Sequence, residues 1–177
     1  MEREIEVKVL HVDLDEMERR LVDLGGERIG EEQQTNYLID SAAHPIAPES
    51  GYLRIRCIEK DGRETIQCTF KEKKSDEGVR AYDEHTVIID DAREMRAIFA
   101  LLGYGLVEEA KKHRISYAFK QCRMDLDRWD PKSFPEPYME IEGTTRGAIE
   151  AVIEDLNISR EQVSTKSIAE LKKSWNK

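Results

Sequence analysis

The segment Glu4-Ile5-Glu6-Val7-Lys8 alternates charged and apolar side chains. This period of two predicts a β-strand, because successive side chains of a strand point to opposite faces. One face of the predicted strand carries only charge, and the other carries only aliphatic side chains. The same pattern recurs along the chain, so the fold depends on whether the charged faces point to solvent or to the protein interior.

The first half of the chain is predicted to contain one helix among several strands. The helix covers residues 13–24, with Asp13 as its N-terminal cap and Gly25-Gly26 as its end. Further strands are predicted at 33–40, 52–60 and 63–74. Asp61-Gly62, between the last two strands, is a strong signal for a hairpin turn.

The second half repeats this order of elements. A strand at 79–89 precedes a helix that Asp90 or Asp91 caps and Leu102-Gly103 ends. The residues of this helix predicted to face inward are Met95, Ile98, Phe99 and Leu102. Strands at 105–119, with a break allowed, and at 121–129 follow. The repeated order of strand, helix, strand, strand predicts two similar halves that close together and so remove exposed sheet edges.

The rest of the chain completes one domain, predicted to span 1–177. The loop Asp130 to Pro137 leads to a strand at 138–143, and Thr144 or Thr145 then caps a helix. A final helix is predicted to begin near Ser164. A chain of 177 residues can bury about two thirds of its unfolded surface, which is enough for an independent core.

Composition limits the partners of the protein. The net charge of −9 argues against binding to duplex nucleic acid, which requires a basic surface. The N-terminal segment lacks a basic-then-apolar leader, and no stretch approaches 18 apolar residues. We therefore expect a soluble cytoplasmic protein that does not enter membranes. The cysteines Cys57, Cys68 and Cys122 lack C-x-x-C spacing and are predicted to be reduced packing residues.

Charge is unusually abundant and is sorted by sign on the predicted strand faces. Charged residues form 37% of the chain, against a usual value of about 25%. One such pair alone is typical of a solvated face. Here the pairs recur in strand after strand: Arg54 and Arg56, Lys71 and Lys73, Lys112 and Arg114, Asp125 and Asp127, Glu140 and Glu142. Because like charges side by side destabilise a sheet, this sorting requires a reason.

A barrel with these faces turned inward would supply the reason. Its acidic cluster would contain Glu4, Glu6, Asp127, Glu140 and Glu142, and its basic cluster Arg54, Arg56, Lys71, Lys73, Lys112 and Arg114. Unpaired buried charge costs several kcal/mol per ion, so the acids predict divalent cations and the bases predict a polyanion. Carboxylates without a His or Cys cluster suit Mg²⁺ or Mn²⁺. Six cations exceed the needs of a monophosphate and fit a triphosphate.

These motifs, taken in order, resemble the CYTH family of triphosphate tunnel metalloenzymes. Glu4-Ile5-Glu6-Val7-Lys8 is similar to the E-x-E-x-K signature of that family. Later motifs follow in family order: Leu53-Arg54-Ile55-Arg56, Thr69-Phe70-Lys71, Lys112-His113-Arg114, Asp127 and Glu140-Ile141-Glu142. The resemblance implies an α+β fold, namely a closed eight-stranded antiparallel β-barrel, the triphosphate tunnel, with surrounding helices.

The resemblance also implies roles for the matching residues. Metal ions would be held by the acidic cluster, and phosphates would be gripped by Arg54, Arg56, Lys71, Lys112 and Arg114. Lys8 matches the motif lysine, whose contact with substrate or with the glutamates is left open. Catalytic roles are predicted for Glu4, Glu6, Lys8, Lys112 and Arg114.

The chain departs from the family pattern in its middle. Many members carry R-x-E-x-E, whereas this chain has Arg80-Ala81-Tyr82-Asp83-Glu84, which makes Glu84 a second-rank metal candidate. The loop from Asp130 to Pro137 looks longer than usual. Lys166 is expected to be solvated.

The sequence leaves several functions open. A triphosphatase acting on tripolyphosphate, a nucleoside triphosphate or thiamine triphosphate ranks slightly first, because nothing marks an adenine pocket. A class IV adenylyl cyclase that converts ATP to cyclic AMP and pyrophosphate is the alternative. A non-catalytic binder of polyphosphate or nucleotide is a further alternative, although such a binder would not need the acids. A homodimer is left open as the oligomeric state.

Overall fold

The protein forms a closed barrel of eight antiparallel strands. The computed structural model describes residues 2–74 and 80–175, with side chains described for 5–74 and 81–173. The strands are β1 (Glu2–Val9), β2 (Glu27–Asp40), β3 (Gly51–Lys60), β4 (Arg63–Lys74), β5 (Arg80–Ile89), β6 (Gly105–Phe119), β7 (Cys122–Trp129) and β8 (Tyr138–Gly143). The helices are α1 (Leu14–Asp23), α2 (Ala92–Leu101), α3 (Arg146–Asp155) and α4 (Ile168–Trp175).

Strand β1 closes the barrel. Around the sheet the strands lie in the order β5-β4-β3-β2-β6-β7-β8-β1, and β1 pairs with β8 on one side and with β5 on the other. A two-residue strand, β9 (Val163–Ser164), pairs with the end of β1. Every strand pairing is antiparallel, as predicted. Because the sheet closes on itself, the eight strands leave no unpaired edge.

The strand register turns the charged faces toward one another. Arg54 lies opposite Thr69, Lys71 opposite Glu84, Lys8 opposite Glu140, and Arg114 opposite Asp127. Directly opposite residues share a face of a sheet. The inner face of the barrel, here called the lumen, therefore carries the predicted acidic and basic residues.

The apolar faces of the strands point outward and are covered by helices. Val7, Met124 and Ile141 are buried in one core cluster with Leu21 of α1 and Val152 of α3. A second cluster joins Ile55, Ile66 and Cys68 to Met95 and Phe99 of α2. Two cores outside the sheet allow the lumen to be polar without loss of the hydrophobic stabilisation that the fold needs.

Local sequence signals explain how these elements begin and turn. The Asp13 carboxylate accepts hydrogen bonds from the backbone N–H groups of Asp15 and Glu16, at 2.9 and 3.1 Å, and so caps α1. Asp91, rather than Asp90, caps α2, and Thr145 caps α3. Asp61 and Gly62 both have positive φ, at 51° and 71°, as a tight two-residue hairpin turn requires.

The C-terminal helix and the proline-containing loop cover one end of the barrel. Leu171 of α4 is buried against Phe134 of the loop and Tyr138 of β8, and Trp129 packs beside them. Lys172 of α4 forms an ion pair with Glu108 of β6. None of the helices in the described part of the chain has the length and apolar character needed to span a bilayer.

Two expectations from the sequence were wrong in detail, and a third was left open. The last helix begins at Ile168 and not near Ser164, because Ser164 pairs with Lys8 in β9. The strand predicted at 105–119 is confirmed as β6 without the break that the sequence allowed, although its register with β2 shifts twice. Ile98 and Leu102 are exposed, because α2 meets the sheet along only the narrow side that carries Met95 and Phe99.

Candidate active site in the barrel lumen

Arg114 is the centre of a buried ion-pair network on the acidic side of the lumen. Its Nε donates to Asp127 Oδ1 at 2.6 Å, and its terminal nitrogens donate to Asp125, Asp127 and Glu140 at 2.5–2.6 Å. Asp125 also accepts from Ser116. Burial opposes the charge of Arg114, but Asp127 and Asp125 outweigh it and hold the pKa of the guanidinium well above its ordinary value.

Lys8 links two carboxylates of neighbouring strands. Its side chain is 2% exposed, and its Nζ lies 3.0 Å from Glu6 Oε1 and 2.9 Å from Glu140 Oε1. The ammonium also lies 5.8 Å from the centre of the Tyr138 ring. Burial would raise the pKa of Glu140, but Lys8 and Arg114 together hold it well below its ordinary value. The motif lysine thus orients glutamates in this structure.

Lys112 is buried beside the same network. Its Nζ donates to Asp127 Oδ2 at 2.6 Å and lies 5.0 Å from the Trp129 ring centre. Burial, helped by the nearby Arg114 charge, lowers the pKa of Lys112 to about 7. An amine with this pKa can both donate and accept a proton near neutral pH.

The remaining lysines of the predicted basic cluster lie nearer one end of the lumen. Lys71 forms an ion pair with Glu84, directly across the β4–β5 pairing, and its Nζ lies 5.8 Å from the centre of the Tyr82 ring. Lys73 shares this face but is exposed. Glu84, the second-rank metal candidate, thus already has a cationic partner.

Arg54 and Arg56 on β3 differ from every cation described so far. Within the described side chains, no carboxylate lies within ion-pair distance of either guanidinium. Arg56 Nε donates to Asn36 Oδ1 at 2.7 Å, and Arg54 Nε is buried without a hydrogen-bond partner. Burial, with repulsion from Arg54 and Arg114, lowers the pKa of Arg56 to about 9. These two arginines require an anion that the described chain does not supply.

Two polar residues of β2 complete this side of the lumen, and sequence reasoning missed both. Gln34 is 2% exposed and Asn36 is 7% exposed, and each has one amide atom, Gln34 Oε1 and Asn36 Nδ2, without a partner. Gln34 and Asn36 lie two residues apart within the predicted strand 33–40. The alternation could have placed them on one face, but neutral side chains gave no reason to choose between the faces.

The acidic residues fit a divalent cation by donor type and by register. Glu6 lies directly opposite Glu142 in the β1–β8 pairing, and such an opposition of like charges destabilises a sheet unless a cation joins it. Carboxylate oxygens without imidazole or thiolate suit Mg²⁺ or Mn²⁺. Among the described side chains, no three acids, histidines or cysteines converge on one point. The predicted third ligand, Glu4, lies outside the described side chains.

Asp127 and Glu140, also predicted as metal ligands, lie deeper in the ion-pair network. Asp127 is fully buried, and both of its oxygens accept from Lys112 or Arg114. Glu140 forms ion pairs with Lys8 and Arg114. Lys166 is exposed, as expected. Among the described side chains, the lumen therefore brings together the predicted residues other than the exposed Lys73. It divides them into ion-paired acids and bases and the arginines of β3, which have no carboxylate partner.

Comparisons with known proteins agree with this geometry. A sequence profile of the CYTH domain family matches residues 2–169. A protein of Methanocaldococcus jannaschii, named as a presumed adenylate cyclase, is 26% identical over 96% of this chain and 98% of its own length.

Solved structures share the fold. The protein PH1819 of Pyrococcus horikoshii superposes with a TM-score of 0.83 at 20% identity, over 97% of this chain and 99% of that one. A Hippeastrum protein, described as a presumed adenylyl cyclase with a dominant triphosphatase activity, superposes with a TM-score of 0.69 at 20% identity, over 94% and 91% of the two chains. At these identities the structures establish the barrel fold alone.

Proposed function

This chain belongs to the CYTH domain family, a family of enzymes that act on triphosphates, and we propose that it is a divalent-metal-dependent triphosphatase with its active site in the lumen. The observation that carries the proposal is the pair Arg54 and Arg56. Two neighbouring guanidinium groups without a carboxylate partner among the described residues form a site for the oxygens of a polyphosphate.

In phosphoryl transfer, the cationic residues of the lumen would bind the phosphates and the acidic residues would bind the metal. Arg54 and Arg56 bind phosphate oxygens, and Lys71 and Lys112 extend the cationic surface along the chain of phosphates. A bound Mg²⁺ or Mn²⁺, held by Glu6 and Glu142 with Glu4, would polarise the phosphoryl group and lower the pKa of water.

Two groups of the lumen would carry out the proton transfers. A carboxylate, for which Glu6 is the candidate, orients the attacking water and takes its proton. Lys112, with a pKa of about 7, gives a proton to the departing phosphate oxygen. The bond between water oxygen and phosphorus forms as the bond to the leaving phosphate breaks, so no other reactant is needed.

Adenylyl cyclisation is the second candidate, supported by the name of the Methanocaldococcus relative. The same residues would then bind ATP, and the ribose 3′-hydroxyl would replace water as the nucleophile. Hydrolysis ranks first because it needs no pocket for a base. A binder without catalysis remains a weaker candidate, because it would not require the opposed Glu6 and Glu142.

A substrate panel tests the proposal. Purified protein is incubated with Mg²⁺ or Mn²⁺ and with tripolyphosphate, ATP or thiamine triphosphate, and the products are separated by chromatography. Release of orthophosphate is the expected result, and cyclic AMP as sole product from ATP would reverse the ranking. Glu6→Gln should abolish turnover while tripolyphosphate still binds, since the arginines are untouched. Full activity of Glu6→Gln would refute the assignment of the metal to the acidic side.

A further inference from the structure

Asn36 of β2 forms a hydrogen bond with the guanidinium group of Arg56 on the neighbouring strand β3. It faces Arg56 directly in the β2–β3 pairing, and its side chain is 7% exposed. The contact joins Asn36 Oδ1 to Arg56 Nε over 2.7 Å. No charge lies on Asn36, so the contact leaves the positive charge of Arg56 uncompensated.

The geometry of guanidinium explains what this bond does. The group is planar, with its five N–H donors in a fixed fork. When Nε–H is bound to Asn36, the plane and the rotation of the group are fixed. One terminal N–H then lies beside Nε–H on the same edge, and the outer edge, between the two terminal nitrogens, is held in one direction. Rotating the Asn36 amide by half a turn would bring its NH₂ group against Arg56 Nε–H, donor against donor. The side chain is therefore held with its oxygen toward the arginine.

The amide nitrogen of Asn36 also indicates that an acceptor is missing in this part of the lumen. Asn36 Nδ2 is buried and has no partner, and the Arg54 Nε nearby on β3 is also buried without one. Unpartnered buried donors on adjoining strands indicate a missing acceptor at this place in the lumen. Arg56 is thus oriented toward the region where an anion is needed.

From these contacts we infer that Asn36 is a positioning residue, which holds the guanidinium of Arg56 in the orientation that binds the triphosphate. The inference rests on the proposed function, because it assumes a triphosphate in the lumen. An acid at this position would keep the acceptor but add a charge beside the anion. An apolar residue would remove the acceptor altogether.

Three variants separate positioning from other roles. Asn36→Leu keeps the shape and loses the acceptor, and Asn36→Asp keeps the acceptor. Gln67→Leu is the matched control, because Gln67 is the other cross-strand neighbour of Arg56 and the structure gives it no hydrogen bond to that arginine. Unfolding by heat checks that each variant is folded, and Asn36→Ala replaces Asn36→Leu if the latter does not fold.

The first readout is tripolyphosphate binding by calorimetry in the presence of a chelator, together with KM and kcat. We expect Asn36→Leu to weaken binding and raise KM on the order of tenfold or more, with a smaller change in kcat, since a bond to a charged group is lost. Asn36→Asp keeps the acceptor but adds a negative charge beside the anion, so it should also weaken binding while keeping the bond to Arg56 that the second readout detects. Gln67→Leu should stay near wild type. Wild-type affinity in Asn36→Leu, or an equal loss of affinity in Gln67→Leu, would overturn the inference.

The second readout does not depend on a substrate. The ¹⁵N–¹H signal of Arg56 Nε, identified by its loss in Arg56→Lys, should be protected from solvent exchange in wild type and in Asn36→Asp, and lose this protection in Asn36→Leu. If wild type neither binds nor cleaves any triphosphate, the proposed function fails, whereas this signal still decides whether Asn36 holds Arg56. An Arg56 signal that is unchanged in Asn36→Leu would refute the positioning role.

Discussion

Replacing Arg56 by methionine should stabilise the protein and weaken its binding of tripolyphosphate. Methionine keeps most of the aliphatic stem and its packing but removes the guanidinium. In the structure that group has no carboxylate partner among the described side chains and is repelled by Arg54 and Arg114. Its charge is therefore a cost to the folded state, which an anion would offset.

The pKa of Arg56 sets the size of this cost. A pKa of about 9 lies more than three pH units below the ordinary range of arginine, and one pH unit corresponds to ~1.4 kcal/mol. The upper bound is thus about 5 kcal/mol, and water in the lumen screens the partly exposed group, so we expect a gain of about 1–3 kcal/mol. For a domain of this size the gain raises Tm by about 2–10 °C.

The sign of the pH dependence follows from the direction of the shift. A lowered pKa means that the folded state disfavours protonated Arg56, so the penalty is fully present below about pH 9. The penalty fades as the pH rises from there toward the ordinary pKa of arginine. The difference in stability between Arg56→Met and wild type should therefore be constant through neutral pH.

Calorimetric melting with and without tripolyphosphate, in a phosphate-free buffer with chelator, measures both effects. Wild type should gain about 2.7 kcal/mol when tripolyphosphate is present at 100 times its Kd. Loss of charged hydrogen bonds worth about 1.5–3 kcal/mol lowers the affinity roughly 10- to 100-fold, so the gain should fall to about 0.4–1.4 kcal/mol in Arg56→Met. The reasoning is refuted if Arg56→Met melts below wild type without anion, or if tripolyphosphate stabilises both proteins equally.

Arg114→Met is the matched contrast. Arg114 donates to Asp125, Asp127 and Glu140. Removing it takes one cation from each of three buried carboxylates, which retain only Arg123, Lys112 and Lys8, respectively, and this should cost about 3–5 kcal/mol. Two lumen arginines on strands separated only by β2 should therefore change stability in opposite directions.

Three further predictions concern other parts of the lumen and its cover. Lys8→Met should lower the free energy of unfolding by about 3–5 kcal/mol, because Glu6 and Glu140 lose their shared cation. Mn²⁺ should then raise the Tm of Lys8→Met by more than it raises that of wild type. An equal rise would contradict the assignment of the metal to the acidic side of the lumen. Since the pKa of Lys112 is about 7, tripolyphosphate affinity should fall as the pH rises from 6 to 9, and calorimetry should find a shallower fall in Lys112→Met. Leu171→Ala should cost about 2–5 kcal/mol by opening a cavity beside Phe134 and Tyr138; in a Trp175→Phe background the emission of Trp129 should shift to the red, and an unshifted spectrum would show that α4 does not cover this end.

Alternation of charge and apolar side chains predicted the strands and the closed barrel, because each strand has helices on one face and the lumen on the other. It could not predict the partners within the lumen. Whether Arg114 meets Asp127 or Arg56 meets Asn36 depends on strand register, which long-range pairing determines. The exposed Ile98 shows the converse limit, since helical spacing indicates an apolar face but not how much of that face the sheet covers.

The aromatic residues of the lumen bear on the choice between hydrolysis and cyclisation. Lys71 lies over Tyr82, Lys8 over Tyr138, and Lys112 over Trp129, at 5.0–5.8 Å from the ring centres. Tyr52 packs edge-on against Tyr82. A cyclase must hold an adenine, and a base is most readily held by stacking on an open aromatic face. Here Tyr82 and Trp129 support the two lysines that would bind phosphate, and Tyr138 supports Lys8, which holds Glu6 and Glu140. We therefore expect a substrate without a base, such as tripolyphosphate, to lose little affinity relative to ATP.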